Sequence, residues 1–423
     1  MNTVELLQRL LRFDTTNPPG NEAACIDWIR GLLAEAGIES ELHERTPGRP
    51  NLVARLRGDG SVPGLLLYGH VDVVPAGGGW THPPFGGEVA DGFVWGRGAL
   101  DMKGGVAMLL QAFLGARDLP LRGDVLLAVL SDEEAGGDEG ARFLARERAE
   151  LFDGVKYALG EFGACSQTIG GRRFYPIQVA EKQRCTLRAT VSGTGGHGSI
   201  PVRGRTPGRL GEVLRTLDRR QPPIRVTPVA RAFLEAVAAE LPRPNALAVR
   251  GLLRPALAER LLPLLGPAFA GTGAMLRNTA TATVVRAGEK DNVIPAEADL
   301  VLDGRLVPGC EPDDLLRELR DLLGPGIELE VLHYDPCPPE PDLTHYEALA
   351  ETLRGFDPTG TPVPYLLVGV TDARFFAALG IQTYGFLPMR LPEELVLTDL
   401  IHARDERIPA DTLDDGAAAA RFP

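Results

Sequence analysis

A doubly wound, mostly parallel α/β domain interrupted by an inserted α+β domain is the fold class that the sequence predicts. Three observations predict it. Apolar runs of strand length alternate with helix-length segments up to residue 149, the pattern of βα units. From residue 181 to 308 that alternation gives way to two-period strands and a run of helices, and it then resumes. The chain has 423 residues, which is long for a single core. The expected division is 1–180 for the first part of the α/β domain, 181–308 for the insertion, and 309–423 for the second part.

The elements follow in order. Residues 4–13 and 22–36 read as amphipathic helices, the second with Asn21 as its cap and Gly37 at its end. Residues 51–56 alternate like a strand, and Gly58-Asp59-Gly60 makes the turn. Leu65, Leu66 and Leu67 form a short buried strand over 65–68. Val106 to Leu110 lies in a helix over 104–117, residues 124–130 make a second buried strand, and 138–149 a helix. In the insertion, 185–192 is a two-period strand. A Gly-rich turn follows, then Thr206-Pro207, a helix start with Pro at its first position. Helices are expected at 207–219, 228–240 and 254–264, with strands at 281–285 and 298–302. Helix 312–323, strand 327–332 and helix 343–354 are assigned to the resumed α/β domain. Ala417 to Ala420 is a short tail helix at most.

Composition bounds the function. The chain is 44% hydrophobic and 24% charged, as in a soluble globular protein. The net charge of −13, with no Lys/Arg run, argues against nucleic acid as partner. No apolar run is long enough to span a membrane, and Met1-Asn2-Thr3-Val4-Glu5 lacks a basic and then apolar leader. Five scattered cysteines without a CxxC suggest reduced thiols and a cytoplasmic setting, and leave no thiolate metal site.

The chemistry is concentrated at the ends of apolar runs. Tyr68-Gly69-His70-Val71-Asp72 closes one strand, and Ser131-Asp132-Glu133-Glu134 closes another. Asp101 lies in the Gly-rich turn Gly98-Ala99-Leu100-Asp101-Met102-Lys103-Gly104. Ligands of open α/β sheets gather at the carboxyl ends of strands. His70 and Asp72 share strand parity and can point the same way. Adjacent residues on extended backbone face opposite sides, so Glu133 and Glu134 can take different jobs, one gripping metal and one gripping water. A carboxylate in a turn, such as Asp101, can bridge two cations. One imidazole and several carboxylates so arranged form a ligand set for paired divalent metals, and paired metals usually mean hydrolysis. His43, His82 and His333 carry no role. Trp28, Trp80 and Trp95 read as packing, although Trp80 and Trp95 flank the metal loop.

These motifs, together with Gly196-His197-Gly198-Ser199, Asn292-Val293-Ile294-Pro295 and Ile401-His402, resemble those of the M20 family of dinuclear zinc peptidases and deacylases. The family includes aminoacylases and carboxypeptidases of the S type. The resemblance covers nearly the whole chain and implies a catalytic α/β domain with an inserted lid, often used for dimerisation. It implies His70 as ligand of one metal, with Glu161 joining it and Asp72 holding the imidazole tautomer. It implies Asp101 as the bridging carboxylate, and Glu134 and His402 as ligands of the other metal. Glu133 resembles the general base that takes a proton from metal-activated water and delivers it to the leaving amine. His197 resembles an oxyanion donor reaching the active site of a second subunit. Arg374, Arg305 and Asn292 resemble substrate-binding residues, the guanidinium groups suiting a free carboxylate. A cis peptide bond at Asp101–Met102 is expected.

The implied enzyme is a metal-dependent amidohydrolase, acting on N-acyl amino acids or small peptides with a free carboxylate. Its cofactors are two divalent ions, Zn2+ first, with Co2+ or Mn2+ tolerated, and its assembly is a homodimer through the lid. One alternative is a biosynthetic deacylase of the acetylornithine or succinyl-diaminopimelate type. The segment from Ile401 to Arg407 and the long helical insertion favour the aminoacylase and carboxypeptidase S types. A non-catalytic binder on this scaffold would have lost the base or a ligand, yet Glu133 and every candidate ligand are present.

Overall fold

The computed structural model describes residues 1–200, 202–265, 269 and 271–419. They form two compact units. The first comprises Met1–Val179, Pro341–Tyr365 and Thr371–Pro423; the second comprises Ala180–Glu340 and Leu366–Val370.

The first unit is built on a nine-stranded sheet. Its centre is parallel: Val125–Leu130, Gly64–His70, Val155–Gly160 and Gln382–Gly385 lie side by side in that order. Antiparallel strands flank it, with Pro50–Leu56 and Ser40–Glu44 on one side and Arg172–Glu181 on the other. The run Val125–Leu130 is buried throughout, as expected of a strand covered on both faces. On one face Leu66, Tyr68, Leu126, Ala128 and Leu130 pack with Phe143, Leu144, Phe375 and Phe376 of the helices Ala141–Glu147 and Ala373–Ala377. Burial of one such side chain stabilises the fold by about 1.5–3 kcal/mol. The helix Lys103–Ala116, almost wholly buried, packs against the same central strands. Gly104 in its first turn is a packing requirement, since a Cβ there would lie 2.2 Å from the Ala99 carbonyl oxygen.

The second unit has a four-stranded antiparallel sheet in the order Thr279–Ala287, Glu297–Leu306, Gln183–Ser192, Ile327–Asp335. The helices Thr206–Arg219 and Pro312–Leu323 close its core through Leu210, Val213, Leu315 and Leu319. Helices Pro228–Glu240, Arg243–Gly251 and Pro255–Leu261 belong to the same unit.

Three sequence expectations need correction. The insertion does not end at 308. Residues 184–191 pair with Ile327–Asp335, so that strand and the helix before it complete the second sheet rather than the first. Asn21 does not cap the second helix. Its amide donates to the Asp14 carbonyl, and Glu22 occupies the cap position of Ala23–Glu35 with no side-chain cap bond. The helix Arg243–Gly251 went unpredicted because its polar, Pro-containing sequence lacks a strong apolar stripe. In the tail, Asp411–Ala419 is helical, and Ala420 falls outside the described residues.

Candidate metal centre

The central parallel strands deliver the acidic cluster. Gly64–His70 ends on His70 itself, Val155–Gly160 ends one residue before Glu161, and Val125–Leu130 is followed by the Asp132-Glu133-Glu134 turn. His70 pairs in register with Leu130, so these ends are level. The backbone at Glu133 and Glu134 is not extended, as the sequence suggested. Asp132 has φ +73°, and residues 133–135 form a single 3₁₀ turn. The two glutamates still diverge, because successive residues of a 3₁₀ turn point about 120° apart.

His70 Nε2 lies 3.2 Å from Asp101 Oδ1 and 3.2 Å from Glu161 Oε2. His402 Nε2 lies 3.2 Å from Asp101 Oδ2 and 3.1 Å from Glu134 Oε2. One oxygen of Asp101 thus faces each imidazole. Two ligand groups result, His70–Glu133–Glu161 and Asp101–Glu134–His402, each with its ligand atoms within 4.8 Å of one another. The Asp101–Met102 peptide bond is cis.

Asp72 follows the strand end and turns back beneath His70. Its carbonyl oxygen is 3.0 Å from His70 Nδ1, and its carboxylate is 3.4 Å away. The same carboxylate accepts the backbone N–H groups of Glu133 and Glu134, each at 3.1 Å, and the Asn17 amide at 2.9 Å. A second buried carboxylate, Asp132, accepts from Asn17, from Glu139 N–H and from Arg49, each at 3.0 Å; Arg49 is in turn ion-paired with the buried Glu22. Glu133 and Glu134 therefore stand on a turn held from below by two carboxylates and an arginine.

Electrostatics test whether cations suit this cluster. Burial opposes charge on His70, but its hydrogen bonds to Asp101, Asp72 and Glu161 prevail and raise its pKa well above the ordinary value. Hydrogen bonds to Asp101 and then Glu134 lift His402 to about 10. Burial pushes Glu161 up to about 8. Burial, then the neighbouring Glu161 charge, holds Glu133 well above the usual carboxylate range. Burial disfavours ionised Asp101 too, yet hydrogen bonds to His402 and His70 keep it well below that range. Protons on the imidazoles occupy the positions that cations would take. Glu134 Oε1 and Glu161 Oε1 are buried without a hydrogen-bond partner among the described residues. An imidazole and carboxylates in each group make an N/O donor set suited to Zn2+, Co2+ or Mn2+. The residues fit two divalent ions.

Of the other predicted residues, Arg374 is in the first unit. Arg374 is buried, donates to the carbonyls of Thr371 and Gly136, and stacks 4.2 Å from the Phe375 ring centroid. His197 and Asn292 belong to the second unit. They are neighbours on a small ribbon, where His197 pairs with Val293 and the Gly198 N–H donates to the Asn292 carbonyl at 2.9 Å. Both are exposed, and His197 Nδ1 sits 2.8 Å from Ser199 Oγ. Arg305, also in the second unit, is paired with Asp303 at 2.8 Å.

Sequence reading passed over Asp372. It is buried, neither carboxylate oxygen has a hydrogen-bond partner among the described residues, and burial raises its pKa to about 6. Its charge is felt by both Glu133 and Glu161. The available signal was its place two residues before Arg374 in Thr371-Asp372-Ala373-Arg374.

Several known proteins are similar to this chain. The N-fatty-acyl-amino acid synthase/hydrolase PM20D1 of Xenopus tropicalis is 30% identical over 385 residues, spanning 88% of this chain and 74% of its own. A succinyl-diaminopimelate desuccinylase of Cereibacter sphaeroides is 32% identical over 222 residues, 52% of this chain and 56% of its own. The crystal structure of the M20 family metallo-carboxypeptidase Sso-CP2 from Sulfolobus solfataricus shares the fold, with TM-score 0.70 and 17% identity over 99% of this chain and 97% of that one. Residues 66–421, which hold every candidate ligand, match the family described as Peptidase family M20/M25/M40. The chain belongs to that family, and it is a metal-dependent hydrolase.

Proposed function

We propose that this enzyme cleaves the amide bond of N-acyl amino acids or small peptides bearing a free carboxylate, using two divalent ions, most simply Zn2+. The observation that carries this reading is Asp101, whose two oxygens each stand 3.2 Å from a different imidazole, with Glu133 within the His70 group. His70 and Glu161 would hold one ion, Glu134 and His402 the other, and Asp101 both. When bound, such ions lower the pKa of a water and polarise a carbonyl. The chain's own residues do the rest. Glu133 accepts a proton from the attacking water and returns it to the departing amine. Asp72 holds His70 in one tautomer and pins the turn on which Glu133 stands.

The similarity to an N-fatty-acyl-amino acid synthase/hydrolase favours N-acyl amino acids over peptides. Arg374, Arg305 and Asn292 are the candidates for recognising the substrate carboxylate, and His197 for stabilising the oxyanion of a second subunit in a lid-mediated homodimer. All five cysteines are free thiols, which suits the cytoplasm. No helix among the described residues is long and apolar enough to cross a membrane.

A hydrolysis panel tests the reading. N-acyl amino acids of increasing acyl length, dipeptides, N-acetylornithine and N-succinyl-diaminopimelate are offered with Zn2+, Co2+ or Mn2+. Turnover of N-acyl amino acids is expected. Turnover confined to N-succinyl-diaminopimelate would favour the desuccinylase reading, and no amide hydrolysis with any metal would sink both.

A further inference from the structure

Asp101 and His402 must sit within reach of one another although 301 positions separate them in sequence. Neither is delivered by a central strand. Asp101 lies in a Gly-rich turn, and His402 lies in an exposed loop where it and Asp405 both have positive φ, +62° and +61°. A buried ion pair joins the two segments. Glu406 is fully buried and Arg97 is 1% exposed. Glu406 Oε1 accepts the backbone N–H of Leu100 at 2.8 Å and of Asp101 at 3.1 Å. Its Oε2 accepts Arg97 Nη1 at 2.6 Å. Arg97 Nη2 donates to the carbonyl oxygen of His402 at 3.2 Å. The Gly96 N–H closes the circuit on the Glu406 carbonyl at 3.0 Å, and the Trp80 ring covers the guanidinium at 5.2 Å. Neither side chain belongs to a candidate ligand group.

We propose that Arg97 and Glu406 are positioning residues that fix the spacing of Asp101 and His402, and so govern occupancy of the Asp101–Glu134–His402 metal position. The contacts support this reading over simple stabilisation, because the pair's hydrogen bonds end on the backbone of two ligands of the same group. His70 and Glu161 take their places from strand ends and need no such tether. A buried carboxylate satisfied by two N–H groups and a guanidinium has one geometry open to it, and so transmits that geometry to what it holds.

The inference rests on the two-ion reading, and metal titration separates the two. Metal-free full-length wild type, Glu406→Gln and Arg97→Lys are titrated with Co2+ and followed by visible absorption, with the apo-protein melting temperature as a check on folding. Wild type is expected to take up two equivalents. In Glu406→Gln, whose amide would set a donor against Arg97, the second equivalent binds about 10–100-fold more weakly, the usual effect of losing a group that orients ligands, while the first, which shares Asp101 but keeps His70 and Glu161 in place, is weakened markedly less. Arg97→Lys keeps a cation against Glu406 but loses the fork that reaches His402, and falls between. Two unchanged steps in Glu406→Gln, or equal weakening of both, overturns the inference while leaving the two-ion reading standing. If Glu406→Gln does not fold, Arg97→Lys decides by the same criterion. A wild type that binds fewer than two equivalents removes the reading beneath it.

Discussion

Glu133 and Glu134 are chemically identical neighbours with different partners. Glu134 faces His402 at 3.1 Å, while Glu133 falls in the His70 group and its N–H rests on Asp72. Glu133→Gln keeps shape and hydrogen bonding but cannot carry a proton, so kcat should fall by about 10²–10⁴-fold. Metal content, measured by atomic emission, should stay at the wild-type level; loss of one ion would make Glu133 a ligand rather than a base. The protons in the metal-free cluster give a second prediction. His402, lifted to about 10, and Glu161, pushed up to about 8, hold protons that the unfolded chain releases near its ordinary values. The folded apo-protein therefore binds more protons than the unfolded chain between about pH 5 and 9, and these groups make it less stable as pH rises. A cation must displace the same protons, so metal binding strengthens across that window. The rise in melting temperature on adding Zn2+ should grow from pH 6 to pH 9. Taking the difference between loaded and apo protein cancels Lys182, which burial lowers to about 7 and which acts in the opposite sense. An increment that shrinks as pH rises contradicts the assignment. At this scale the candidate ligands His70, Asp101 and Glu134 were readable because they follow apolar runs or sit in Gly-rich turns. Asp372 and Glu406 were not, since a lone acid is informative only once its burial and the backbone groups around it are known.

Among elements, two of the four central parallel strands were legible, whereas Val155–Gly160 and Gln382–Gly385 lack a continuous apolar run and were not expected. Leu65, Leu66 and Leu67 and the run 125–130 carry a continuous apolar pattern that only a doubly covered strand requires. The turn after Leu130 was misread, because an αL residue at Asp132 leaves no periodic trace. It is held instead by contacts distant in sequence, chief among them Arg49 bridging Glu22 and Asp132. The side chains of Glu22 and Asp132 are 0% and 6% exposed, so Arg49→Met leaves two buried carboxylates without their cation. Losing one partner of a buried pair costs about 3–5 kcal/mol. Urea unfolding of the apo-protein should register a fall of that order, and a change below about 1 kcal/mol would mean that the pair is solvated. Gly140 limits the same turn from above, as a Cβ there would stand 1.9 Å from the Ser131 carbonyl oxygen. The end of the insertion was missed for a different reason. The strand Ile327–Asp335 alternates as an edge of either sheet could, and only its pairing with residues 184–191 assigns it to the second.

At the scale of the whole molecule, each unit has its own core, and every candidate ligand belongs to the first. The second unit ends its sheet on Thr279–Ala287, an exposed edge strand carrying Val284 and Val285 at 36% and 50% exposure; the ribbon beside Asn292 adds Val293 at 50%. Unprotected edges of this kind pair readily with another chain. A homodimer built through the second unit would use that edge and could bring His197 of one subunit to the metal cluster of the other. Sedimentation of wild type should give a dimer, and Val285→Glu should yield monomer. If His197 acts across the interface, His197→Ala should retain its metals but lose turnover. Mixing it with Glu133→Gln should then restore activity, because half of the re-formed dimers would hold one site with both an intact base and an intact histidine. Free exchange would return about a quarter of wild-type turnover. No recovery after verified subunit exchange would place His197 in its own subunit's chemistry or in none, and an unchanged kcat in His197→Ala would remove it from the reaction altogether.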